Sequence, residues 1–216
     1  RVVLLDLLGH GRSDRPPYAS AHRMDRYAEQ VVALLDHLGA ADAVLGGVSL
    51  GANVSLFTAA AHPDRVRGLI VEMPVLENAA PAAAMTFVPM LLTAHYGQRV
   101  LSVTSRLFRS VPRTPFGPLN SFLNTASASP GNLAAVLHGI IVGPVAPTRE
   151  ARATLRPPAL VLGHTYDPVH AFSDAEALAD LMPRATLVPA RTFLELRLFP
   201  GRLMRIIGDF VTGCWD

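Results

Sequence analysis

The chain has 216 residues, of which 50% are hydrophobic and 17% charged, a composition that excludes disorder as the main state and fits one compact domain with an insertion. Its 19 basic residues, all arginine, are scattered and nearly balanced by 17 acidic ones, so the formal net charge of +2 does not indicate a nucleic-acid-binding surface. The single cysteine, Cys214, excludes an internal disulfide, and the chain has no Cys/His spacing typical of a zinc site. A protein without disulfides fits a reducing compartment, so we expect a cytoplasmic location.

Strand-like and helix-like patterns alternate along the first third of the chain. The continuous apolar run Val2–Leu5 is typical of a strand buried on both faces. Helical spacing of apolar residues from Met24 to Leu38, followed by Gly39, predicts a helix with a glycine stop signal. Further along, the pattern predicts a strand over 43–48, a helix over 50–61 and a strand over 66–71.

The middle of the chain has a different pattern, because residues 74–157 contain no clear strand. Helices are predicted there near 83–95, 97–110, 118–125 and 131–142. Strands are predicted again over 159–163 and 186–188, with helices over 174–181 and 203–211. Strands alternating with helices predict an α/β fold with a mostly parallel sheet flanked by helices. We therefore expect a core formed by residues 1–73 and 158–216 and a helical insertion over 74–157.

The strongest motif is Gly47-Val48-Ser49-Leu50-Gly51, at the junction of a predicted strand and a predicted helix. This is the Gly-x-Ser-x-Gly pattern in the context of a nucleophile elbow. The tight turn exposes the serine hydroxyl at the positive end of the helix, and the glycines leave room for strand and helix to pack. Ser49 is therefore the candidate nucleophile, and the Leu50 amide is the candidate oxyanion donor. The alternative is a glycine-rich turn that only packs well.

Around this motif the chain resembles the α/β-hydrolase fold over nearly its whole length. Residues 6–14, Asp-Leu-Leu-Gly-His-Gly-Arg-Ser-Asp, look like the segment after the fourth strand of that fold. The elbow then follows the fifth strand, and residues 62–66, His-Pro-Asp-Arg-Val, look like the lead into the sixth. The resemblance implies that the insertion over 74–157 is a cap that roofs the active site, and it implies no metal or organic cofactor.

The acidic member of the family's triad maps onto Asp167. Residues 163–170, Gly-His-Thr-Tyr-Asp-Pro-Val-His, resemble the turn after the seventh strand, where the family carries that residue. The order of Ser49 and Asp167 agrees with the family's order. A carboxylate in this place orients an imidazole and stabilises its charged form. The alternative is an aspartate that caps the next helix or turn, although Asp174 is the better N-cap candidate for that helix.

The catalytic base is unassigned by the sequence. The family's histidine follows the last strand, but here Thr192 occupies that place and no histidine follows His170. Threonine cannot act as a base at neutral pH. His164 and His170 each lie three residues from Asp167, close enough to contact its carboxylate, whereas their position in the chain does not predict reach to Ser49. The remaining candidates are His138 on a predicted cap helix and His10 in the glycine-rich loop.

The resemblance also implies an N-terminally truncated chain, because the first three strands of the fold would precede Arg1. The loop after the third strand supplies the second oxyanion donor, and losing one donor costs on the order of 100–1000-fold in rate. We therefore expect impaired activity. The third strand would also lie beside Val2–Leu5, so we expect this run either to pair with Ala43–Val48 or to leave unpaired backbone groups.

Three functional hypotheses follow. The first is a serine hydrolase acting on a small or medium apolar ester or related acyl compound. The second is a catalytically impaired protein that binds an apolar ligand or a partner, and the missing histidine is its main support. The third is an acyltransferase on the same scaffold. A histidine within hydrogen-bond reach of Ser49 would discriminate the first from the second.

The predicted partners are small molecules. The apolar side chains of the insertion fit either a pocket roof for an apolar group or ordinary helix packing; they are Met85, Phe87, Met90, Leu91, Leu92, Phe108, Phe116 and Phe122. The longest apolar stretch, residues 79–94, is shorter than the roughly 20 residues of a spanning helix and contains two prolines, Pro81 and Pro89, so no membrane span is predicted.

Overall fold

A parallel β-sheet forms the centre of the fold. The computed structural model describes residues 1–192 and 194–216, and of Pro118 and Ser121 it describes the backbone alone. Within these residues, four strands pair in the order β1-β2-β3-β4, each parallel to its neighbour. The predicted parallel sheet is therefore confirmed. The strands are β1 (Ala43–Val48), β2 (Val66–Glu72), β3 (Ala159–His164) and β4 (Ala185–Ala190).

Helices separate the strands along the chain. They are α1 (Met24–His37), α2 (Leu50–Ala61), α3 (Ala80–Tyr96), α4 (Gln98–Ser110), α5 (Gly117–Ala126), α6 (Pro130–Val142), α7 (Arg149–Ala153), α8 (Phe172–Leu181), α9 (Glu195–Leu198) and α10 (Gly201–Gly213). The predicted bounds of β1 and α2 are confirmed residue for residue. The four helices predicted in the middle of the chain are confirmed within three residues at each end. In the part of the chain that the structure describes, no helix is long and apolar enough to cross a membrane.

The chain divides into two compact units. The first consists of residues Arg1–Arg23 and Met85–Val142, and the second of Met24–Ala84 and Gly143–Asp216. The second unit contains the sheet together with α1, α2 and α7–α10. The first contains α4–α6 and most of α3. That the helical segment roofs an active site stays a prediction.

Helices cover both faces of the sheet in the second unit. On one face, Val161 of β3 belongs to a buried cluster with Leu56 of α2 and Leu178 of α8. On the other face, Leu162 of β3 packs in a second cluster with Leu203 of α10. Each such fully buried side chain contributes about 1.5–3 kcal/mol to the hydrophobic stabilisation. The carboxyl ends of the strands, which carry the candidate site, are therefore held by a packed core.

The predicted strand over Val2–Leu5 is wrong. These residues form no strand, and the side chains of Val2 and Leu4 are 89% and 93% exposed. Among the described residues none pairs with them, and β1 is bonded only to β2. A strand needs a neighbour for its backbone N–H and C=O groups, and without one water satisfies those groups. An apolar run alone does not supply that neighbour.

The first unit is built around the glycine-rich segment near its start. The Gly9 amide donates to the carbonyl of Asp14 at 2.8 Å, and the Gly9 carbonyl accepts the side-chain amide of Asn132 on α6 at 2.8 Å. At Gly139 of α6, an added Cβ would lie 2.3 Å from the carbonyl oxygen of Ala19. Glycine at 139 therefore permits the short 3₁₀ helix Ala19–His22 to pack directly on α6.

Asp174 is not the N-cap of α8, which corrects the prediction. The helix begins two residues earlier at Phe172, and Asp174 lies fully buried in its first turn. Its carboxylate accepts main-chain N–H groups from the segment after β2, at 2.8 Å from Leu76, 2.9 Å from Asn78 and 2.9 Å from Ala79. A buried amide without a partner is costly, so this carboxylate fixes the connection between β2 and α3.

Glu195 at the start of α9 connects the end of β4 to α10. Its carboxylate accepts the Nε–H of Arg202 at 2.7 Å and the main-chain N–H of Arg191. These hydrogen bonds, the one from Arg202 first, lower the pKa of Glu195 to about 2. The folded state therefore stabilises the ionised form.

We expect the Glu195→Gln variant to lose less stability in acid than the wild-type protein. Because the folded pKa lies below the unfolded value of about 4.3, the stabilisation is complete above that pH and is lost as the pH falls towards about 2. Urea unfolding at a series of pH values measures the effect. Glu176→Gln, on the exposed side of α8, is the control and should keep the wild-type pH dependence. A Glu195→Gln curve parallel to wild type would contradict the expectation.

Candidate active site

Ser49 lies on a strained turn between β1 and α2. Its φ of 52° and ψ of −110° form a backbone conformation that residues with side chains rarely adopt. The Ser49 amide donates to the carbonyl of Glu72 at 2.8 Å, and the Ser49 carbonyl accepts the amide of Asn53 at 3.0 Å. The Leu50 amide is the first of α2, and amides of a first helical turn have no intrahelical acceptor. It is therefore available to a ligand oxygen beside Ser49.

Gly47 permits the close packing of this turn. A Cβ added there would lie 2.3 Å from the carbonyl carbon of Gly51, well inside van der Waals contact. A Cβ added at Gly51 would meet no described atom within 4 Å. Of the two glycines of the motif, only Gly47 must therefore lack a side chain. The backbone of Gly51 occupies the space that a side chain at position 47 would need.

We expect Gly47→Ala to lower the free energy of unfolding by about 1–3 kcal/mol, because backbone must move to admit the methyl group. Gly51→Ala is the matched control. It lies inside α2 with free space around it, and alanine is favoured over glycine in a helix by about 1 kcal/mol. Urea unfolding measures the free energy of unfolding of both variants, which we expect to fall in Gly47→Ala and to rise in Gly51→Ala. A Gly47→Ala variant as stable as Gly51→Ala would contradict the packing argument.

His170 reaches Ser49. Its Nε2 lies 2.9 Å from the Ser49 Oγ, and its Nδ1 lies 3.0 Å from Oδ1 of Asp167. A carboxylate only accepts hydrogen bonds, so Nδ1 carries the proton in the neutral ring and Nε2 is the acceptor for the serine O–H. The sequence did not predict this reach across 121 positions, and the structure corrects that expectation.

Asp167 holds both the backbone and the ring of His170. Its Oδ1 accepts the main-chain N–H groups of Val169 and His170, each at 2.8 Å, in addition to the ring contact. Burial raises the pKa of Asp167, but the hydrogen bonds from His170 and Val169, with the charge of His170, outweigh it and lower the pKa overall. The carboxylate is therefore ionised at neutral pH. The sequence offered two alternative roles for Asp167, capping a turn and orienting an imidazole. The geometry allows Asp167 to do both at once.

His164 lies elsewhere, in a buried cluster with Glu72. Its Nε2 is 2.9 Å from Oε1 of Glu72, at ion-pair distance although not aligned as a hydrogen bond, and its Nδ1 is 3.0 Å from the carbonyl of Thr192. Arg197 contacts the same Glu72 oxygen at 3.0 Å. Burial raises the pKa of Glu72, but the contacts with His164 and Arg197 outweigh it and leave the pKa below its ordinary value.

His138 and His10 lie in the first unit. His138 lines a cavity of about 460 Å³ together with Arg15 and His95, and the His10 Nδ1 lies 3.1 Å from the carbonyl of Leu8. In the ranges 1–192 and 194–216, no three His, Cys, Asp or Glu side chains are arranged to hold a metal ion. Of the histidines named from the sequence, His170 is the one in contact with Ser49.

The sequence offered the contact between Asp167 and His170, but it gave no role to Glu72. The spacing Asp167-x-x-His170 lets an aspartate that caps a turn bond the imidazole at the end of the same turn. Glu72, at the end of an apolar strand, was an anomaly, since a carboxylate in that position is buried only with partners. Its partner Arg197 lies 125 positions away and had no local signal.

Comparison with known proteins identifies the family of the chain. A family model described as alpha/beta hydrolase fold matches residues 1–190. The chain belongs to the α/β-hydrolase fold family. Among solved structures of this fold, an enol-lactonase from Burkholderia xenovorans LB400 superimposes with a TM-score of 0.70 at 20% identity, covering 95% of this chain and 78% of that one. At this identity the likeness shows the fold alone.

Curated α/β-hydrolase relatives match shorter stretches. A haloalkane dehalogenase from Mycolicibacterium paratuberculosis is 35% identical over 86 residues, which cover 38% of this chain and 29% of the relative. A 2-hydroxymuconate semialdehyde hydrolase from Pseudomonas sp. strain CF600 is 41% identical over 84 residues, covering 36% of this chain and 29% of the relative. The matched part of this chain therefore covers less than a third of the length of each relative.

Proposed function

We propose that the protein is a serine hydrolase that cleaves a small or medium apolar ester or a related acyl compound. Ser49 is the nucleophile, His170 the general base and Asp167 the residue that orients the base. The observation that carries the proposal is the 2.9 Å contact between His170 Nε2 and Ser49 Oγ. A serine hydroxyl is a weak nucleophile until an adjacent base accepts its proton.

In the first half of the reaction, Ser49 Oγ attacks the carbonyl carbon of the ester and its proton passes to His170 Nε2. The carbonyl oxygen becomes negatively charged, and the Leu50 amide donates a hydrogen bond to it. The ionised Asp167 stabilises the imidazolium through Nδ1–H. When the tetrahedral intermediate collapses, the alcohol leaves with the proton from Nε2, and the acyl group stays on Ser49.

In the second half, water attacks the acyl carbon while His170 Nε2 accepts one of its protons. Collapse of the second intermediate breaks the bond to Ser49 Oγ, which takes the proton back from Nε2. The products are a carboxylic acid and the free enzyme. We propose an apolar acyl group because the helical segment over 83–96, which the family resemblance makes part of a cap, is mostly apolar.

The comparison supports a hydrolytic reaction, since one of the two relatives is named a hydrolase. The competing hypothesis of a ligand- or partner-binding protein drew its support from the lack of a histidine after the last strand. The contact made by His170 removes that support. The acyltransferase hypothesis shares the acyl-serine step, and no observation favours it over hydrolysis.

Labelling with a fluorophosphonate probe tests the proposal directly, because the probe reacts with activated serines. We expect the folded wild-type protein to be modified at one residue, which peptide mass mapping assigns to Ser49. Labelling should vanish in Ser49→Ala. Ser55→Ala is the matched control and should be labelled like wild type, because Ser55 lies buried on α2 with its hydroxyl donating to the Gly51 carbonyl.

Circular dichroism of all three proteins establishes that they are folded. An unlabelled wild-type protein with a native spectrum would overturn the proposal in favour of a binding function. Label that persists in Ser49→Ala would exclude Ser49 as the nucleophile.

A further inference from the structure

Three titratable side chains, Glu72, His164 and Arg197, meet beside the candidate active site without taking part in the proposed reaction. The side chains of Glu72 and His164 are 3% and 0% exposed, and Arg197 contacts the same carboxylate oxygen as His164. Apolar side chains of similar volume often stabilise a fold as well as a buried ion pair or better. Stability alone therefore does not explain why Glu72 is buried with His164 and Arg197, whereas the position of the cluster in the fold does.

Glu72 is connected to Ser49 through its backbone. It is the last residue of β2, and its carbonyl accepts the Ser49 amide at 2.8 Å. Its cross-strand partner in the sheet is Val48, the residue before Ser49. Anything that fixes Glu72 in place therefore fixes the strained turn that presents the serine hydroxyl.

His164 is connected in the same way to the turn of Asp167 and His170. It is the last residue of β3, three positions before Asp167. Its Nδ1 contacts the carbonyl of Thr192, and the neighbouring Thr165 hydroxyl donates to the carbonyl of Arg191 at 3.1 Å. The start of the turn is thus anchored on both sides, by Glu72 and by the segment after β4.

We propose that Glu72 and His164 are positioning residues that fix the distance between Ser49 and the turn of Asp167 and His170, with Arg197 stabilising the pair. The cluster spans the ends of the two strands whose loops carry the nucleophile and the base. Within the part of the chain that the structure describes, the three side chains form no hydrogen bond or ion pair with Ser49 Oγ or the ring of His170, so the cluster acts through the backbone. The proposal rests on the proposed function, and its test separates the two.

The variant Glu72→Gln keeps the size of the side chain and removes its charge. We expect kcat for p-nitrophenyl butyrate to fall by about 10- to 100-fold with KM nearly unchanged, because a misplacement of about 1 Å costs that much in rate. Glu77→Gln is the matched control. It breaks the ion pair of Glu77 with the buried Arg152 away from the site, so it should lower stability and leave kcat unchanged.

A second readout does not depend on turnover. We expect the proton on His170 Nδ1, which faces Asp167 Oδ1, to give a downfield NMR resonance that is assigned by its absence in His170→Gln. We expect this resonance to shift or broaden in Glu72→Gln and to stay in place in Glu77→Gln. If Glu72→Gln does not fold, Arg197→Met, at a side chain that is 37% exposed, takes its place.

The outcomes are distinct. A folded Glu72→Gln protein whose kcat and resonance match those of Glu77→Gln would overturn the positioning role. If the wild-type protein neither hydrolyses esters nor reacts with the fluorophosphonate, the proposed function fails. The NMR resonance alone then tests the positioning role of Glu72 and His164. A shifted resonance then supports the positioning role, and an unchanged one overturns it.

Discussion

Replacing His170 with glutamine is expected to lower kcat for ester hydrolysis by about 10⁴-fold or more while the fold stays intact. Glutamine fills a similar volume and can hydrogen-bond to Ser49, but it cannot accept a proton at neutral pH. The loss therefore isolates the proton transfer from the positioning of Ser49. Steady-state kinetics with p-nitrophenyl butyrate and the rate of fluorophosphonate labelling both measure it.

His62→Gln is the matched control for this substitution. Its imidazole is partly buried and lies 3.2 Å from Glu29, outside the candidate site, so kcat should match wild type. A His170→Gln protein that retains kcat within tenfold of the control would rule out His170 as the general base.

Asp174→Ala is expected to lower the free energy of unfolding by about 3–5 kcal/mol, the largest stability loss that we predict for a single substitution. The change leaves the main-chain amides of Leu76, Asn78 and Ala79 without their acceptor. Urea unfolding followed by circular dichroism measures the difference.

The control is Asp180→Ala, on the same helix but exposed. Surface substitutions of this kind change stability by about 0.5 kcal/mol or less. A loss below about 1 kcal/mol in Asp174→Ala would show that water or a rearranged backbone satisfies the three amides.

Local signals made part of this structure predictable. The strand, turn and helix around Ser49 could be predicted because they are contiguous, and the glycines of the turn mark it directly. The bounds of β1 and α2 followed for the same reason. Val2–Leu5 failed because an apolar run reports burial preference, whereas a strand also requires a hydrogen-bonding neighbour that lies elsewhere in the chain.

The contact of His170 with Ser49 and the cluster of Glu72, His164 and Arg197 could not be predicted from the sequence, because they depend on how distant strand ends meet. His170 approaches Ser49 only because β1 and β3 both flank β2, which brings their loops to one edge of the sheet. Glu72 and Arg197 meet across the end of the same sheet. Parallel pairing fixes such encounters, and no residue spacing within one segment encodes them.

The acid and the base of the candidate triad belong to a single turn, and this has a consequence for how activity would fail. Closing a loop of three residues costs little chain entropy, so the contact between Asp167 and His170 forms and persists locally. The contact with Ser49 spans 121 positions and exists only while the ends of β1, β2 and β3 stay in register. Slight loosening of the sheet would separate nucleophile from base before the helices melt. In the proposed mechanism, catalytic activity would therefore depend directly on the register of the sheet and be lost before helix content changes.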